Sequence, residues 1–140
     1  MREGRRIRGL YQVTQEDVAV GQTHDDAVCR VTFGIDVHST RPKETKAIEK
    51  APFKSRPYDI PLRALIAKDV EGLMMAGRCI SGDFLSHSSY RVTGNAVAMG
   101  QAAGITAALA ATSSRLPREV PYSDVSPVLA KQQFEPVLKG

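Results

Sequence analysis

The chain has 140 residues, which suits one domain with a buried core, and 42% of them are hydrophobic. Charged residues make up 24%, which excludes wholesale disorder, and the formal net charge of +4 makes nucleic acid a partner to consider. Cys29 and Cys79 are the only cysteines, too few for a structural zinc site or an iron–sulfur cluster, so we predict no metal site.

Neither a targeting signal nor a membrane span is evident in the sequence. The first residues are rich in arginine and contain no apolar run, unlike a signal peptide. The most apolar segment, residues 92–111, is interrupted by threonine, asparagine and glutamine, which makes it a poor membrane span. We therefore expect a soluble, cytoplasmic protein that does not act at a membrane.

Four arginines lie within the first nine residues, and the stretch RRIRGLYQV predicts a strand entered through Gly9. Such a basic end could be a nucleic-acid arm, a solvated end, or an edge strand kept soluble by charge. No aromatic residue alternates with the arginines and Glu3 interrupts them, so we predict that nucleic acid is not a partner.

A short helix is predicted next, because Thr14 can act as its N-cap with Asp17 three residues later, the arrangement of a capping box. The pattern of THDDAVCRVTFGIDVHS continues this helix and ends in a strand over residues 33–37, where apolar and polar residues alternate. Asp36 and His38 belong to this region, and we interpret them as structural residues of a strand end.

Residues 40–57 are rich in charge and proline, which predicts an exposed, flexible loop. Beyond this loop, YDI is extended, and GLMMAGR contains a continuous apolar run that Gly77 stops. An uninterrupted apolar run is typical of a strand covered on both faces, as in a parallel sheet. We predict such a strand over residues 73–76.

A long helix is predicted over residues 91–112 despite its glycines, each of which costs about 1 kcal/mol relative to alanine inside a helix. Small residues recur at every fourth position and form a small-residue ridge, Ala96, Gly100, Gly104 and Ala108. We expect the ridge to press the helix onto the predicted 73–76 strand. A last amphipathic helix is predicted from about Ser123, with four candidate buried residues, Val125, Val128, Leu129 and Phe134.

The start of the long helix is a candidate binding site. Thr93 and Asn95 are cap-type residues, the first helical N–H groups carry partial positive charge, and Arg91 adds to that charge. An anion or the electron-rich edge of a ligand could occupy this position, and an ordinary solvated cap is the alternative.

The segments YDIPLRALI and VEGLMMAGRCISGDFLSHSSYRVTGNAVAMGQAAGITAAL resemble the C-terminal portion of FAD-dependent oxidoreductases with a glutathione-reductase-like flavin fold. RRIRGLYQVTQEDV, DDAVCR and GIDVHS are similar to the stretch that this family places ahead of it. The resemblance implies an α/β fold: a partial Rossmann-like FAD domain, with a C-terminal strand and the long small-residue helix, plus part of a substrate-domain sheet. Residues 1–56 would hold partial substrate-domain strands, a short helix and a flexible loop, and residues 57–140 the C-terminal part of the FAD-binding domain.

The resemblance also implies roles for individual residues. The cofactor would be FAD, and its binding residues would be Gly77, Arg78, Cys79, Thr93, Gly94, Asn95 and Ala96. Arg91 would bind a substrate carboxylate or flavin negative charge, and His87, in the loop between the two motifs, would relay a proton. A helix-start salt bridge and a surface histidine are the alternatives. For Cys79, a buried small residue is a better interpretation than redox chemistry, because no second cysteine follows nearby.

One feature of such flavoproteins is missing from the sequence. They bind FAD through a G-x-G-x-x-G fingerprint, which does not occur here. We therefore expect a C-terminal fragment of an enzyme that moves a hydride between a small organic substrate and flavin, with weak or absent FAD binding and no turnover alone. Exposed apolar faces of such a fragment would favour a homo-oligomer or a complementing N-terminal half. A non-catalytic oligomerising or partner-binding remnant is the alternative function.

Overall fold

The computed structural model describes residues 5–38, 48–49 and 53–132. Its α-helices are α1 (Gln15–Val20), α2 (Phe84–Tyr90), α3 (Thr93–Thr112) and α4 (Tyr122–Lys131). Its strands are β1 (Ala27–Val31), β2 (Val37–His38), β3 (Ile48–Glu49) and β4 (Tyr58–Pro61). Short 3₁₀ turns connect them at Leu62–Ala64, Gly77–Cys79 and Pro117–Glu119. The chain therefore has a mixed α and β structure.

The limits of α1 are set by its own sequence. Thr14 Oγ1 accepts a hydrogen bond from the Asp17 N–H at 3.3 Å, and Asp17 Oδ2 accepts one from the Thr14 N–H at 2.8 Å, which confirms the predicted capping box. Gly21 ends the helix with a φ of 76°, and its N–H donates to the Asp17 carbonyl. The predicted continuation of this helix is wrong, because a left-handed residue here turns the chain towards β1.

The main sheet consists of two antiparallel strands, β1 and β4, that are distant in sequence. Cys29 lies opposite Ile60 in their register. A second pairing joins β2 to β3. Of the strand predicted over residues 33–37, only Val37 lies in a strand, β2, and β3 lies inside the predicted 40–57 loop. Residues 40–47 and 50–52 of that loop prediction lie outside the described residues.

Two predicted strands are extended segments that pair only through isolated bridges. Residues 7–13 run between two other segments of the chain. Residues 73–76 have one bridge, between Met74 and Ile66, and the Leu73 side chain is 38% exposed. The prediction of a 73–76 strand covered on both faces is wrong, because an apolar run does not reveal whether pairing partners exist on both sides.

The segment predicted as a loop between the two family motifs contains α2. Asp83 caps this helix, because its Oδ1 accepts a hydrogen bond from the Ser86 N–H at 2.8 Å. Residues 86–90 are all buried although they include three serines and a histidine, so the polar residues of α2 do not mark a solvent-exposed face. It therefore lacks the amphipathic period by which a helix is recognised in a sequence.

The core lies between the β1–β4 sheet and the long helix. Its fully buried residues include Val31, Tyr58, Ile60, Leu65, Tyr90 and Met99. A smaller apolar cluster joins the end of α3 to α4 and contains Ala110 and Val125. The predicted burial of Val125 is confirmed, Val128 and Leu129 are half-buried, and Phe134 lies outside the described residues.

The small-residue ridge of α3 turns away from the core. The helix instead buries Met99, Ala102, Thr106 and Ala110. Gly100 and Gly104 are exposed, and a Cβ built on either would meet no neighbouring atom of the described chain within 4 Å. The expectation that the whole ridge presses onto residues 73–76 is therefore wrong, because only its first residue, Ala96, packs beside that segment, against Gly77. Residue spacing predicted a smooth face but not the direction in which it points.

Candidate functional site

The first turn of α3 has no side-chain cap. Its N-cap is Val92, with extended backbone and a hydrocarbon side chain that cannot accept a hydrogen bond. The first turn contains no acidic residue, and the predicted cap residues Thr93 and Asn95 lie inside the helix instead. The partial positive charge at the start of this 20-residue helix is therefore not offset by its own side chains.

Asn95 connects this helix start to neighbouring elements. Its Nδ2 donates to the Tyr90 carbonyl at 3.3 Å, and its Oδ1 accepts a hydrogen bond from Cys29 Sγ at 3.6 Å. Burial, with a smaller effect from Asp59, raises the pKa of the Cys29 thiol to about 11. Cys29 is therefore a protonated donor at neutral pH, and Asn95 holds α3 against β1.

A glycine brings the 3₁₀ turn Gly77–Cys79 against the first turn of α3. Gly77 is buried with a φ of +66°, a conformation that side chains disfavour. A Cβ added there would lie 3.2 Å from the Ala96 Cβ, closer than most such contacts. The two motifs that the sequence places 12 to 19 residues apart, at Gly77–Cys79 and from Arg91 to Ala96, are thus adjacent in space.

Two guanidinium groups lie beside the same helix start. Arg78 is exposed, and its Nε donates to the Arg91 carbonyl at 3.4 Å. Arg91 is half-buried, and its Nη2 donates to the Asp36 carbonyl at 2.7 Å. The Asp36 N–H in turn donates to the Ser88 carbonyl at 3.2 Å, which fixes this chain segment on α2.

These elements enclose a cleft of about 250 Å³ at the start of α3, which we call the α3 cleft. Its lining includes Phe33, Asp36, Arg78, Ser88, Arg91 and Thr93. Phe33 is 46% exposed and offers an aromatic surface beside the two cations. The arrangement can receive an electron-rich, partly apolar group, because hydrogen-bond donors and an aromatic ring are present together.

Two predicted site residues, His87 and Cys79, are not among the described residues that line the α3 cleft. His87 is fully buried in α2, with its ring edge-to-face against Tyr90 at a centroid distance of 5.5 Å. A surface histidine is therefore excluded. Cys79 is half-buried at the end of the Gly77–Cys79 turn, and its carbonyl accepts the Ile7 N–H at 3.0 Å.

The sequence did not single out Phe33 or Ser88, and it gave Asp36 a structural role only. Arg91 and Asp36 are 55 residues apart, and they meet through a backbone carbonyl. A contact made by backbone atoms leaves no side-chain signature in a sequence. Only the folded chain could identify these three cleft residues.

Within the described residues, no group of histidine, cysteine, aspartate or glutamate side chains could hold a metal ion. None of the helices in these same ranges combines the length and apolarity needed to cross a bilayer.

Comparison with known proteins gives one result that covers most of the chain. The family model described as FAD dependent oxidoreductase matches residues 1–129. No curated protein and no solved structure matches the chain. The match includes both the Gly77 turn and the whole of α3, the elements that form the α3 cleft. The chain thus belongs to the FAD dependent oxidoreductase family, whose members are oxidoreductases that use FAD.

Proposed function

We propose that the α3 cleft is the part of a FAD site that receives the pyrimidine edge of the isoalloxazine ring. The observation that carries the proposal is the uncapped start of α3, which opens beside Arg78 and Arg91 against the Gly77 turn. Helix N–H groups and guanidinium groups fit a ring edge that accepts hydrogen bonds and gathers negative charge on reduction. A glutathione-reductase-like, Rossmann-like arrangement of the whole site belongs to this proposal.

The residues of the helix start would contribute to cofactor binding in three ways. Thr93 and Gly94 are exposed in the first turn, where N–H groups have no partner inside the helix, so they would donate to the ring edge. The Ala96 N–H already donates to the Val92 carbonyl at 3.1 Å, so its contribution would be a small side chain against Gly77. Asn95 would fix the helix start through its bonds to Tyr90 and Cys29.

The cationic residues would act on substrate and cofactor. Arginine has five N–H donors, so Arg91 can bind a substrate carboxylate while one donor stays on the Asp36 carbonyl. Arg78 and Cys79 would contribute through the turn that borders the cofactor. For His87, the predicted proton relay stays a proposal. Its carbonyl accepts the Arg91 N–H at 3.3 Å, the backbone bond that ends α2 one residue before Arg91.

When bound, FAD would supply an acceptor for a hydride from a small organic substrate. The residues of this chain would orient that substrate through Arg91 and stabilise negative charge at the start of α3. The sequence contains no G-x-G-x-x-G, and this fingerprint provides most pyrophosphate contacts in such folds. We therefore propose that these 140 residues alone bind flavin weakly and do not turn over substrate.

A comparison of two flavins tests this proposal. If the chain recognises only the ring end, FMN and FAD will bind with dissociation constants within about threefold of each other, by fluorescence titration. Arg91→Gln will weaken both by about tenfold, because a charged donor is lost. Arg115→Gln is the matched control, because it removes the same charge beyond the other end of α3.

Three outcomes would contradict the proposal. FAD binding that is tight, stoichiometric and much stronger than FMN binding would show that the adenosine half is recognised. An equal loss of flavin affinity in the Arg91→Gln and Arg115→Gln variants would show that the affinity depends on the overall charge of the chain and not on the position of Arg91. Binding of neither flavin at their highest soluble concentrations would remove the site itself.

A second candidate function, self-association, is favoured by the exposed face of α3. This 20-residue helix contains no ionisable residue, and its open face consists of small or apolar residues: Thr93, Val97, Gly100, Gly104, Ala107, Ala108 and Ala111. Val97 is 56% exposed. The face continues into a groove of about 520 Å³ shared with α4 and lined by Ile105, Leu109 and Val128.

The proposed occupant of this face is a second copy of the chain. Two chains of net charge +4 repel each other, so they would meet where neither presents a charge, and α3 offers such a face. Glycines on both copies would let the two helix backbones approach closely in a twofold-symmetric contact. Gly104→Leu adds bulk to the ridge at a position where an added Cβ would meet no neighbouring atom of the described residues within 4 Å.

Sedimentation velocity over a range of concentrations tests this second function. We expect the natural chain to form dimers and Gly104→Leu to be monomeric. Ala130→Leu, which adds a similar side chain at an exposed position of α4, should still form dimers. A second copy is contradicted as the occupant if the natural chain stays monomeric or if the Gly104→Leu variant still forms dimers. A complementing N-terminal half is then the partner to test.

A further inference from the structure

The arginine-rich segment near the start of the chain is not an edge strand. On one side the Leu10 N–H donates to the Ile66 carbonyl at 3.0 Å, and on the other the Val13 N–H donates to the Ser81 carbonyl at 3.1 Å. Residues 7–13 therefore run between two neighbouring segments and need no charge to prevent edge pairing. The positive charge of this segment requires another explanation.

The basic residues of this segment meet at one cleft. Arg6 and Arg8 line it with Gln12 and with the apolar residues Ile7 and Leu10, while Val13 is fully buried. Lys68 joins them because its N–H donates to the Arg8 carbonyl at 2.8 Å. We call this space of about 410 Å³ the basic cleft, and it shares no lining residue with the α3 cleft.

Two glycines allow the chain to form the floor of the basic cleft. A Cβ on Gly9 would lie 2.7 Å from the Ser81 Cβ, and a Cβ on Gly82 would lie 2.5 Å from the Tyr90 hydroxyl. Both distances are shorter than real Cβ contacts, so the segments meet closely only because these residues are glycine. The buried Ser81 lies in the lining beside the cations.

The charges of the basic cleft differ in how firmly they are held. Arg6 Nη1 donates to the Asp83 carbonyl at 2.7 Å, which fixes its half-buried guanidinium. Arg8 makes a loose ion pair with Asp69 at 3.5 Å, and its side chain is 79% exposed. The Asp83 carboxylate accepts hydrogen bonds from backbone N–H groups of Gln15 and Ser86, and it is not among the described residues that line the cleft.

We propose that the basic cleft binds a small phosphate-bearing molecule. The cleft offers a phosphate oxyanion both charged and neutral hydrogen-bond donors. The charged donors are the fixed guanidinium of Arg6 and the exposed cations of Arg8 and Lys68. The neutral donors are the Ser81 hydroxyl and the Gln12 amide. Asp69 would release Arg8 when a stronger anion arrives, because exposed ion pairs contribute little. The proposal does not rest on flavin binding, because it concerns a separate cleft.

Calorimetric titration with inorganic pyrophosphate tests the proposal. Arg8→Gln and Lys68→Gln should each weaken binding by about tenfold, because each removes a charged donor from an exposed position that does not hold the fold. Arg115→Gln, a loss of equal charge elsewhere, should leave it unchanged. Riboflavin, which carries no phosphate, should bind the Arg8→Gln variant as tightly as it binds the natural chain, which separates this cleft from the α3 cleft.

Two further titrations identify the source of the phosphate. ADP that binds more tightly than pyrophosphate supports a nucleotide as the ligand, and equal affinities support recognition of phosphate alone. The proposal is overturned if the Arg8→Gln and Lys68→Gln variants bind pyrophosphate as tightly as the natural chain does. It is also overturned if Arg115→Gln weakens pyrophosphate binding as much as these two variants do. It is also overturned if duplex DNA binds and pyrophosphate does not compete, because the segment would then be a nucleic-acid arm.

Discussion

Replacing the two open glycines of α3 by alanine should stabilise the isolated chain. Glycine inside a helix costs about 0.5–1 kcal/mol relative to alanine. At Gly100 and Gly104 nothing offsets that gain, because an added Cβ meets no neighbouring atom within 4 Å. The double variant should therefore raise the free energy of unfolding by about 1–2 kcal/mol, which corresponds to a rise in Tm of about 4–8 °C for a chain of this size.

Urea and thermal unfolding followed by far-ultraviolet circular dichroism measure this change. The measurement belongs at low micromolar concentration, where association through the ridge contributes least to apparent stability. Ala130→Gly, the reverse change at an exposed position of α4, should lower the free energy of unfolding by about 0.5–1 kcal/mol. A double variant no more stable than the natural chain would refute the conclusion that the ridge is open.

Three other predictions follow from single contacts. Gly82→Ala should lower the free energy of unfolding by about 1–3 kcal/mol in urea, because its Cβ would lie 2.5 Å from the Tyr90 hydroxyl in the core. Thr14→Ala should cost about 1 kcal/mol in the same assay, because α1 loses its capping box. Iodoacetamide should alkylate Cys29 slowly at pH 8 and faster towards pH 11, because burial and Asp59 raise the pKa of its thiol to about 11. The stability that Cys29 contributes is full below pH 9.0 and is lost as the pH rises through about 11. Urea unfolding at a series of pH values measures this loss. A Cys29→Ser variant that lacks the loss would confirm the assignment to Cys29.

Features with a local cause could be predicted from the sequence. The capping box at Thr14 depends on residues three positions apart, and α3 and α4 are long enough for their patterns to indicate helices. By contrast, α2 was missed because residues 86–90 are all buried, which leaves no amphipathic period. The pairing of β1 with β4 was missed because it depends on residues that are distant in the chain.

The candidate site shows the same division between local and tertiary information. The Gly77 turn and the start of α3 could be predicted as neighbours, because a family resemblance places both at a cofactor. The contact of Arg91 with the Asp36 carbonyl could not, because it joins backbone to side chain across 55 residues. The spacing of small residues predicted correctly that one face of α3 is smooth, but the direction expected for that face was wrong. Residue size does not indicate which face of a helix packs inward.

The start and the face of α3 can be tested separately, because each lacks a different stabilising feature. Val92→Ser would supply the missing N-cap and should raise the free energy of unfolding by about 1 kcal/mol, since the backbone of residue 92 already has an extended conformation suited to a cap. The added hydroxyl would also accept hydrogen bonds from the N–H groups proposed for flavin, so FMN affinity should fall by about tenfold while dimer formation persists. The double alanine variant at Gly100 and Gly104 should be stabilised without losing FMN affinity, because its changes lie beyond the first turn of the helix. If Val92→Ser gains stability and binds FMN as the natural chain does, the start of α3 is an ordinary helix end, and the flavin must be recognised elsewhere.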